Sequence, residues 1–299
     1  MTSSEIVDIR NPLVSIVIPS YNHMRFISNC IESLYEQTYS HFELFVFDDG
    51  SSDNSKEILI HLQRKYKFYL EFQSNLGLAN TLTKGFRDFS KGKYLTFCAS
   101  DDFWLPDKLE KQVGFMEANP AFAMVFGKTY IIDNNNNIME KSTENANFGL
   151  KGGLIFKELI LLDFHPPVNY LFRASVIKKI GFYRPQIWAE DFDMNLKIAL
   201  DSPIGFLDDF LTCYRVTNRG KEKMLNYKTI NSHLESINQF KDSDYFREAI
   251  RKWHYRNFIW YCMFKESKIF AIKNMFQSRK YVLKKEYLKS LVYLFVLWK

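Results

Sequence analysis

What this sequence lacks narrows its chemistry before any motif is read. Cysteine is scarce: four in 299 residues, Cys30, Cys98, Cys213 and Cys262, with no CxxC pair among them. That spacing argues against a disulfide framework or a structural zinc site, and it fits a reducing compartment. No run approaches the roughly 20 apolar residues that span a bilayer. The opening segment MTSSEIVDIR has no apolar core of signal-peptide length, so the expected location is the cytoplasm. Glycine is thin at 12 residues, and none occurs in Pro19-Ser20-Tyr21-Asn22-His23, after the first apolar run. A nicotinamide-dependent oxidoreductase would want a G-x-G-x-x-G turn there, so that class is disfavoured. Internal repeats are missing, and no nucleic-acid motif accompanies the basic residues, so no nucleic-acid partner is expected.

What is present is apolar and aromatic. Hydrophobic residues make up 46% of the chain and aromatic residues 17%, enough to bury a sizeable core. The length suits one large domain, or a catalytic domain with a smaller appendage. The net charge of +6 is unevenly spread: residues 221–299 carry 17 Lys and Arg against 7 Asp and Glu, and residues 1–220 carry 23 against 27. An acidic front with a basic tail suggests two tasks. We place a catalytic domain at 1–220 and a helical, basic and aromatic region at 221–299. A solvated basic surface accounts equally well for the charge bias alone.

Along the chain, apolar runs alternate with helical spacing. Residues 13–18 (LVSIVI) read as a buried strand closed by Pro19. In 27–36, Ile27, Cys30, Ile31, Leu34 and Tyr35 share one helical face. Further strands are expected at 44–47, 69–72 and 94–98, with helices at 55–66 and 78–89. This alternation predicts βαβ units and a mostly parallel sheet. Beyond it, 123–133 reads as one or two strands, 134–137 as an exposed turn and 148–172 as loop-rich. Helices follow at 174–180, stopped by Gly181, and at 189–200, and the chain is helical from about 226 onward. Ligands bind such sheets beyond the carboxyl ends of the strands. The polar segments PSYN, DDGSSD and SDD all lie there.

Three acid pairs carry the candidate chemistry. Asp48 and Asp49 end a buried strand, which is costly unless they are hydrogen-bonded or face a ligand. Asp49 is placed to accept a nucleobase N–H, or else it shapes a turn whose Ser52 or Asp53 caps the next helix. Asp101 and Asp102 repel one another unless a cation neutralises them, and a hard divalent ion sharing its ligands with phosphates fits one or two carboxylates. A helix start with Pro106 near its first position and Asp107 in its first turn explains those two residues but not Asp101 and Asp102. Glu190 and Asp191 open a helix between Trp188 and Phe192, either as acids favoured by the helix dipole or with Asp191 as a general base.

Together and in this order, the segments strongly resemble the family 2 glycosyltransferases of the GT-A fold. The resemblance runs through VSIVIPSYNHMRFISNCIESLYEQTYSHFELFVFDDGSSDNS, NLGLAN, KGKYLTFCASDDFWLPDKLEKQ and WAEDFDMNLKIA, covering about residues 12–215. It implies an α/β chain with a Rossmann-like mixed sheet of the nucleotide-diphospho-sugar transferase type, followed by a helical C-terminal extension. It further implies that Pro19 and Tyr21 border the donor's base and that Asp49 binds it. Asn75 and Gly77 would lie in a loop near the donor, Asp101 on the ribose, and Asp102 on a divalent metal, Mn²⁺ or Mg²⁺, that holds the diphosphate. Asp191 would be the catalytic base of an inverting single displacement, with Glu190, Trp188 and His165 on the acceptor side. A lone histidine beside two prolines is otherwise a structural feature. Two positions depart from the family pattern: Ala99 stands where an acid is common, and Thr217 stands where a histidine often follows Tyr-Arg-x.

The implied activity moves a hexosyl or N-acetylhexosaminyl group from a nucleotide-sugar to a hydroxyl of a glycan or lipid-linked glycan. UDP-sugars are the family's commonest donors, and cell-surface polysaccharide synthesis is the setting. The alternative is a degenerate nucleotide-sugar or glycan binder without transfer activity, to which Ala99 and Thr217 point. In the tail, Tyr287, Leu288, Leu291, Val292 and Phe295 fall on one helical face with Lys284, Lys285 and Lys289 nearby. That pattern predicts either attachment to an anionic membrane surface on its cytoplasmic side or packing on the domain or in a homo-oligomer.

Overall fold

The computed structural model describes residues 11–216 and 227–296. Thr217, the opening ten residues, Lys221 and the terminal Trp298 and Lys299 lie outside the described residues. By internal contact the described chain divides into two compact units, one of 11–155, 165–186 and 197–216, the other of 156–164, 187–196 and 227–296. Residues 156–164 and 187–196, which precede the boundary expected at 220, thus group with the C-terminal helices.

The first unit opens with β1 (Val14–Ser20), α1 (Ile27–Tyr35), β2 (Phe42–Asp48), α2 (Ser55–Tyr66), β3 (Tyr69–Phe72) and α3 (Leu78–Lys84), which continues as a π-turn through Phe89. β4 (Tyr94–Phe97), β5 (Phe103–Trp104), α4 (Lys108–Ala118), β6 (Met124–Ile132) and α5 (Glu140–Ala146) follow. Next along the chain come α6 (Phe156–Ile160) of the second unit, β7 (Leu171–Arg173) and α7 (Ala174–Ile180) of the first, α8 (Glu190–Asp201), which begins in the second unit and ends in the first, and β8 (Ile204–Arg215) of the first. The eight strands form one sheet in the order β3-β2-β1-β4-β7-β6-β8-β5. The expectation of a mostly parallel sheet holds for β3-β2-β1-β4, whereas β7 is antiparallel to both its neighbours and β5 to β8. The sheet is mixed, as the resemblance implies.

β1 is central because its residues are apolar on both faces. Val14, Ile16 and Ile18 join Ile27, Cys30, Ile31 and Leu34 of α1 in one cluster. Each such burial stabilises by roughly 1.5–3 kcal/mol. Pro19 does not end β1, which runs on to Ser20. β1 pairs with β4 only as far as Val17, and the Val17 carbonyl accepts the Cys98 N–H at 3.1 Å. Pro19 therefore faces the side where the neighbouring strand has already stopped, and its missing N–H costs no ladder bond.

β8 had no clean period to announce it. Its register with β6 shifts twice around Lys128, and Gly127 packs so closely that an added Cβ would stand 2.5 Å from Leu211. Asp208 and Asp209 interrupt the apolar pattern but are paired, with Lys128 at 2.5 Å and Lys111 at 2.7 Å. The helix expected to open near Pro106 starts at Lys108, with Asp107 as its N-cap. All four cysteines are buried free thiols, and Cys30 and Cys98, distant in sequence, have sulfurs 3.6 Å apart.

The second unit contains α6, the first residues of α8, and α9 (Tyr227–Asn238), α10 (Phe246–Tyr261), α11 (Lys268–Gln277) and α12 (Lys285–Phe295). α12 divides the apolar face expected of it. Of the expected face Tyr287 alone is buried, its hydroxyl donating to the Met275 carbonyl at 2.8 Å, and Leu294, which lies outside that face, is buried too. Leu288, Val292 and Phe295 stay exposed. Packing and exposure thus coexist on one helix. Among the described residues no helix is long and apolar enough to cross a membrane.

Candidate active site

The carboxyl ends of β1, β2 and β4 lie side by side because these strands are parallel neighbours, and their loops are tied together by hydrogen bonds. After β2, Asp49 donates its N–H to the Ser20 carbonyl at 2.8 Å. Its buried carboxylate accepts three bonds: from Leu76 N–H at 2.7 Å and Gln73 Nε2 at 2.8 Å on one oxygen, and from Gly77 N–H at 2.9 Å on the other. Asp49 thus fixes the loop that carries Asn75 and Gly77. Gly50 adopts φ +82°, and a Cβ there would meet the Asn75 nitrogen at 3.1 Å, so the two loops pack backbone to backbone.

The turn after Gly50 is ordered by polar side chains. Asp48 accepts the Ser51 N–H at 3.0 Å. Asp53 takes the Ser55 N–H at 3.0 Å and, through its other oxygen, the Met24 N–H at 3.0 Å. These bonds hold the Asp53 carboxyl below the usual range, against the opposing effect of burial. The N-cap of α2 is Asn54, which makes no side-chain cap bond, and of the two residues expected to cap the helix Asp53 reaches its first N–H, that of Ser55, from one position further ahead. Ser52 does not, since its N–H and hydroxyl both turn to the Asn22 side chain. Pro19 and Tyr21 stand on the edge itself, with Tyr21 46% exposed.

After β4 come Asp101 and Asp102. Asp102 is buried, and one of its oxygens accepts the Arg215 N–H at 2.7 Å. Burial first, and then the adjacent Asp101 charge, push its carboxyl well above the usual carboxylate range. The Arg215 guanidinium does not touch that carboxylate. It donates to the carbonyls of Asp101 at 2.8 Å and Asp133 at 2.7 Å and to the Asn136 side chain at 2.6 Å, and it lies 4.3 Å from the Phe26 ring centre. Arg215 is therefore a brace that joins the Asp101–Asp102 turn to β8 and to the 133–137 turn.

A resident metal can be tested against this chemistry. Among the described residues no group of three or more His, Cys, Asp or Glu could hold a metal unaided. Asp102 has a second oxygen with no hydrogen-bond partner among the described residues, beside a like charge that opposes its ionisation. Such a pair fits a hard divalent cation that takes one or two carboxylates and completes its shell with phosphate and water. Ala99 contributes no ligand.

Sequence reasoning missed one residue here. His23 places Nδ1 2.8 Å from the Ser100 hydroxyl and Nε2 3.7 Å from the Asp101 carboxylate, linking the β1 and β4 loops. Its signal was its place in the glycine-free turn after β1, two residues beyond Tyr21.

The expected acceptor residues lie on other segments. In the second unit, Glu190, Asp191 and Asp193 form the first turn of α8, and Asp191 accepts the Phe192 N–H at 2.7 Å. Burial and the Asp191 charge raise the Glu190 carboxyl to about 7. Trp188 is 56% exposed, its N–H bonded to the Ser232 hydroxyl at 2.8 Å and the Lys228 ammonium 4.3 Å from its ring centre. His165, in the first unit, is exposed with Nδ1 2.9 Å from the Pro166 carbonyl.

The family model described as "Glycosyl transferase family 2" matches residues 15–181. The Escherichia coli enzyme UDP-Glc:alpha-D-GlcNAc-diphosphoundecaprenol beta-1,3-glucosyltransferase WfgD is 38% identical over 235 residues, 75% of this chain and 87% of its own. A glycosyltransferase of Methanocaldococcus jannaschii, itself uncharacterized, is 30% identical over 248 residues, 79% of this chain and 84% of its own. Among solved structures, the mannosyltransferase PcManGT from Pyrobaculum calidifontis, in complex with GDP-Man and Mn²⁺, has a TM-score of 0.59 at 16% identity, covering 95% of this chain and 85% of that one. That last likeness concerns the fold. The chain belongs to the family 2 glycosyltransferases and is an enzyme of the GT-A fold.

Proposed function

We propose that this glycosyltransferase moves a hexosyl or N-acetylhexosaminyl group from a UDP-sugar to a hydroxyl of a lipid-linked glycan, with inversion and with a divalent metal. The observation that carries the proposal is the acid pair at the end of β4. Asp102 is buried beside Asp101 with one oxygen unpartnered among the described residues, and such a pair calls for a cation brought in with a diphosphate. The relative WfgD is named for UDP-Glc and a diphosphoundecaprenol acceptor, which supports both the donor and the acceptor class. We assign the base to Pro19, Tyr21 and Asp49, the nearby loop to Asn75 and Gly77, the ribose to Asp101 and the metal to Asp102. When bound, the metal supplies Lewis-acid stabilisation of the departing diphosphate.

The chain's own residues do the rest. Asp49 holds the 73–77 loop in place through its three bonds. Arg215 fixes the Asp101–Asp102 turn, so its carboxylates need not reorganise when the donor arrives. Asp191 takes the acceptor hydroxyl proton as that oxygen attacks the anomeric carbon. Trp188, Glu190 and His165 contact the acceptor, and the basic tail keeps the enzyme at the cytoplasmic side of an anionic membrane.

Asp191→Asn tests the assignment. It should lower transfer by at least about 100-fold and leave UDP affinity within about twofold, since a base acts on the acceptor side only. Proton NMR of the wild-type product should show an inverted anomeric centre. A retained configuration overturns the single displacement.

A further inference from the structure

The second unit carries a basic groove of about 810 Å³ lined by none of the residues assigned above to the transfer reaction. It lies between α10 and the turn that follows α11, and Phe246, Arg247, Arg251, Phe276, Arg279 and Lys280 line it. One acid, Glu248, holds two of its cations in place. Glu248 accepts the Tyr281 hydroxyl, binds Lys280 Nζ at 2.5 Å and stands 3.7 Å from Arg251 Nη1. These contacts tie the 279–281 turn to α10 and engage Glu248 with Lys280 and Arg251. Arg247 and Arg279 have no acidic partner among the described residues, and both are exposed. Arg247, Arg251, Arg279 and Lys280 line the groove with no Asp or Glu among the lining residues, which leaves an excess of positive charge, and guanidinium groups suit phosphate oxygens bidentately.

Charge alone would suit any polyanion, but exposed apolar side chains lie in and near the groove. Phe276 lines the groove and is 65% exposed. Leu283 is 91% exposed and Val282 is exposed beside it. They follow Lys280 by two and three residues, so they lie within about 11 Å of it along the chain. Large aliphatic side chains held out in water next to arginines are costly on a surface that meets only solvent or a soluble phosphate. They suit a lipid surface, where the apolar groups enter the acyl boundary and the cations meet the headgroups.

We propose that this groove is a headgroup site that takes the phosphate of an anionic phospholipid and seats the second unit on the membrane. The proposal rests on the membrane reading given above and narrows it to named residues. It implies that Arg247 and Arg279 hold the phosphate, while Phe276 and Leu283 insert.

The test is sedimentation of the full chain with vesicles of phosphatidylglycerol and phosphatidylcholine, against pure phosphatidylcholine, at low salt. Wild-type protein should partition onto the anionic vesicles only. The double variant R247Q/R279Q should bind about 30-fold more weakly, the fold-change that corresponds to about 1 kcal/mol for each basic residue near an anionic leaflet. Phe276→Ser with Leu283→Ser should also weaken binding at unchanged charge. A control, K56Q/R64Q, removes two exposed cations of α2 and should change binding less than twofold. Equal losses in R247Q/R279Q and the control mean diffuse attraction and overturn the groove, leaving the membrane reading in place. No binding of the wild type to anionic vesicles overturns both, and tight binding of single-stranded RNA without vesicle binding makes the groove a nucleic-acid site instead. UDP release from a UDP-sugar, measured without vesicles, reports on the transferase separately and should be the same in all these variants.

Discussion

Asp49→Asn is the substitution whose consequences the geometry defines most fully. The carboxylate accepts from Gln73, Leu76 and Gly77 at 2.8, 2.7 and 2.9 Å in a buried position. Asparagine is nearly the same shape but has one acceptor oxygen. That oxygen can still serve the Gln73 and Leu76 donors, and the new NH₂ group then faces the Gly77 N–H, donor against donor. A hydrogen bond to a charged group contributes roughly 1.5–3 kcal/mol, so a cost of about 2–3 kcal/mol is expected. For a unit of this size that is a fall of roughly 4–12 °C in Tm. If the 73–77 loop and Asp49 also meet the donor, UDP affinity should drop about 30- to 150-fold, the ratio equivalent to the same energy. Differential scanning calorimetry and isothermal titration with UDP read the two effects independently. A Tm within a degree of wild type would refute the hydrogen-bond argument. A lowered Tm with unchanged UDP affinity would reduce Asp49 to a support for its loop.

Two further outcomes follow from other groups. Arg215→Lys keeps the charge but cannot span the Asp101, Asp133 and Asn136 acceptors, so stability should fall by about 2–4 kcal/mol in urea titration; a shift below 0.5 kcal/mol would contradict the bracing role. Glu190 has its carboxyl raised to about 7 from 4.5, so its contribution to stability is complete below about pH 4.5 and is lost as pH rises through 7, a change of about 3 kcal/mol. Glu190→Gln should therefore flatten the urea midpoint between pH 5 and pH 8, and an unaltered pH dependence would show that the burial of Glu190 carries no such cost.

The parallel half of the sheet was legible because its residues obey simple periods. Ile16 and Ile18 in β1, and Ile27, Ile31 and Leu34 in α1, fall where a doubly covered strand and a one-sided helix require them. The antiparallel half was not. β8 hides behind Asp208 and Asp209, whose partners Lys128 and Lys111 are far away in sequence, and its bulge against β6 breaks the alternation that would have marked it. β7 has three residues, too few for any period. At the site, the acids stood out as pairs at strand ends, but their hydrogen bonds did not. Nothing in the order of residues says that Asp49 reaches Gly77, or that His23 meets Ser100 and Asp101. α12 illustrates the same limit: one apolar stripe, Tyr287 to Phe295, became partly core and partly surface according to what packs against it.

The central claim, that Asp102 holds a divalent metal on the diphosphate of a nucleotide-sugar, is tested most directly by nucleoside diphosphate release. A panel of UDP-sugars should be presented to the wild type with Mn²⁺, to the wild type in excess chelator, and to Asp102→Asn with Mn²⁺. The account predicts release from at least one donor in the first case and a loss of at least about 100-fold in the other two. Undiminished release in chelator, or an Asp102→Asn enzyme as fast as the wild type, would contradict it.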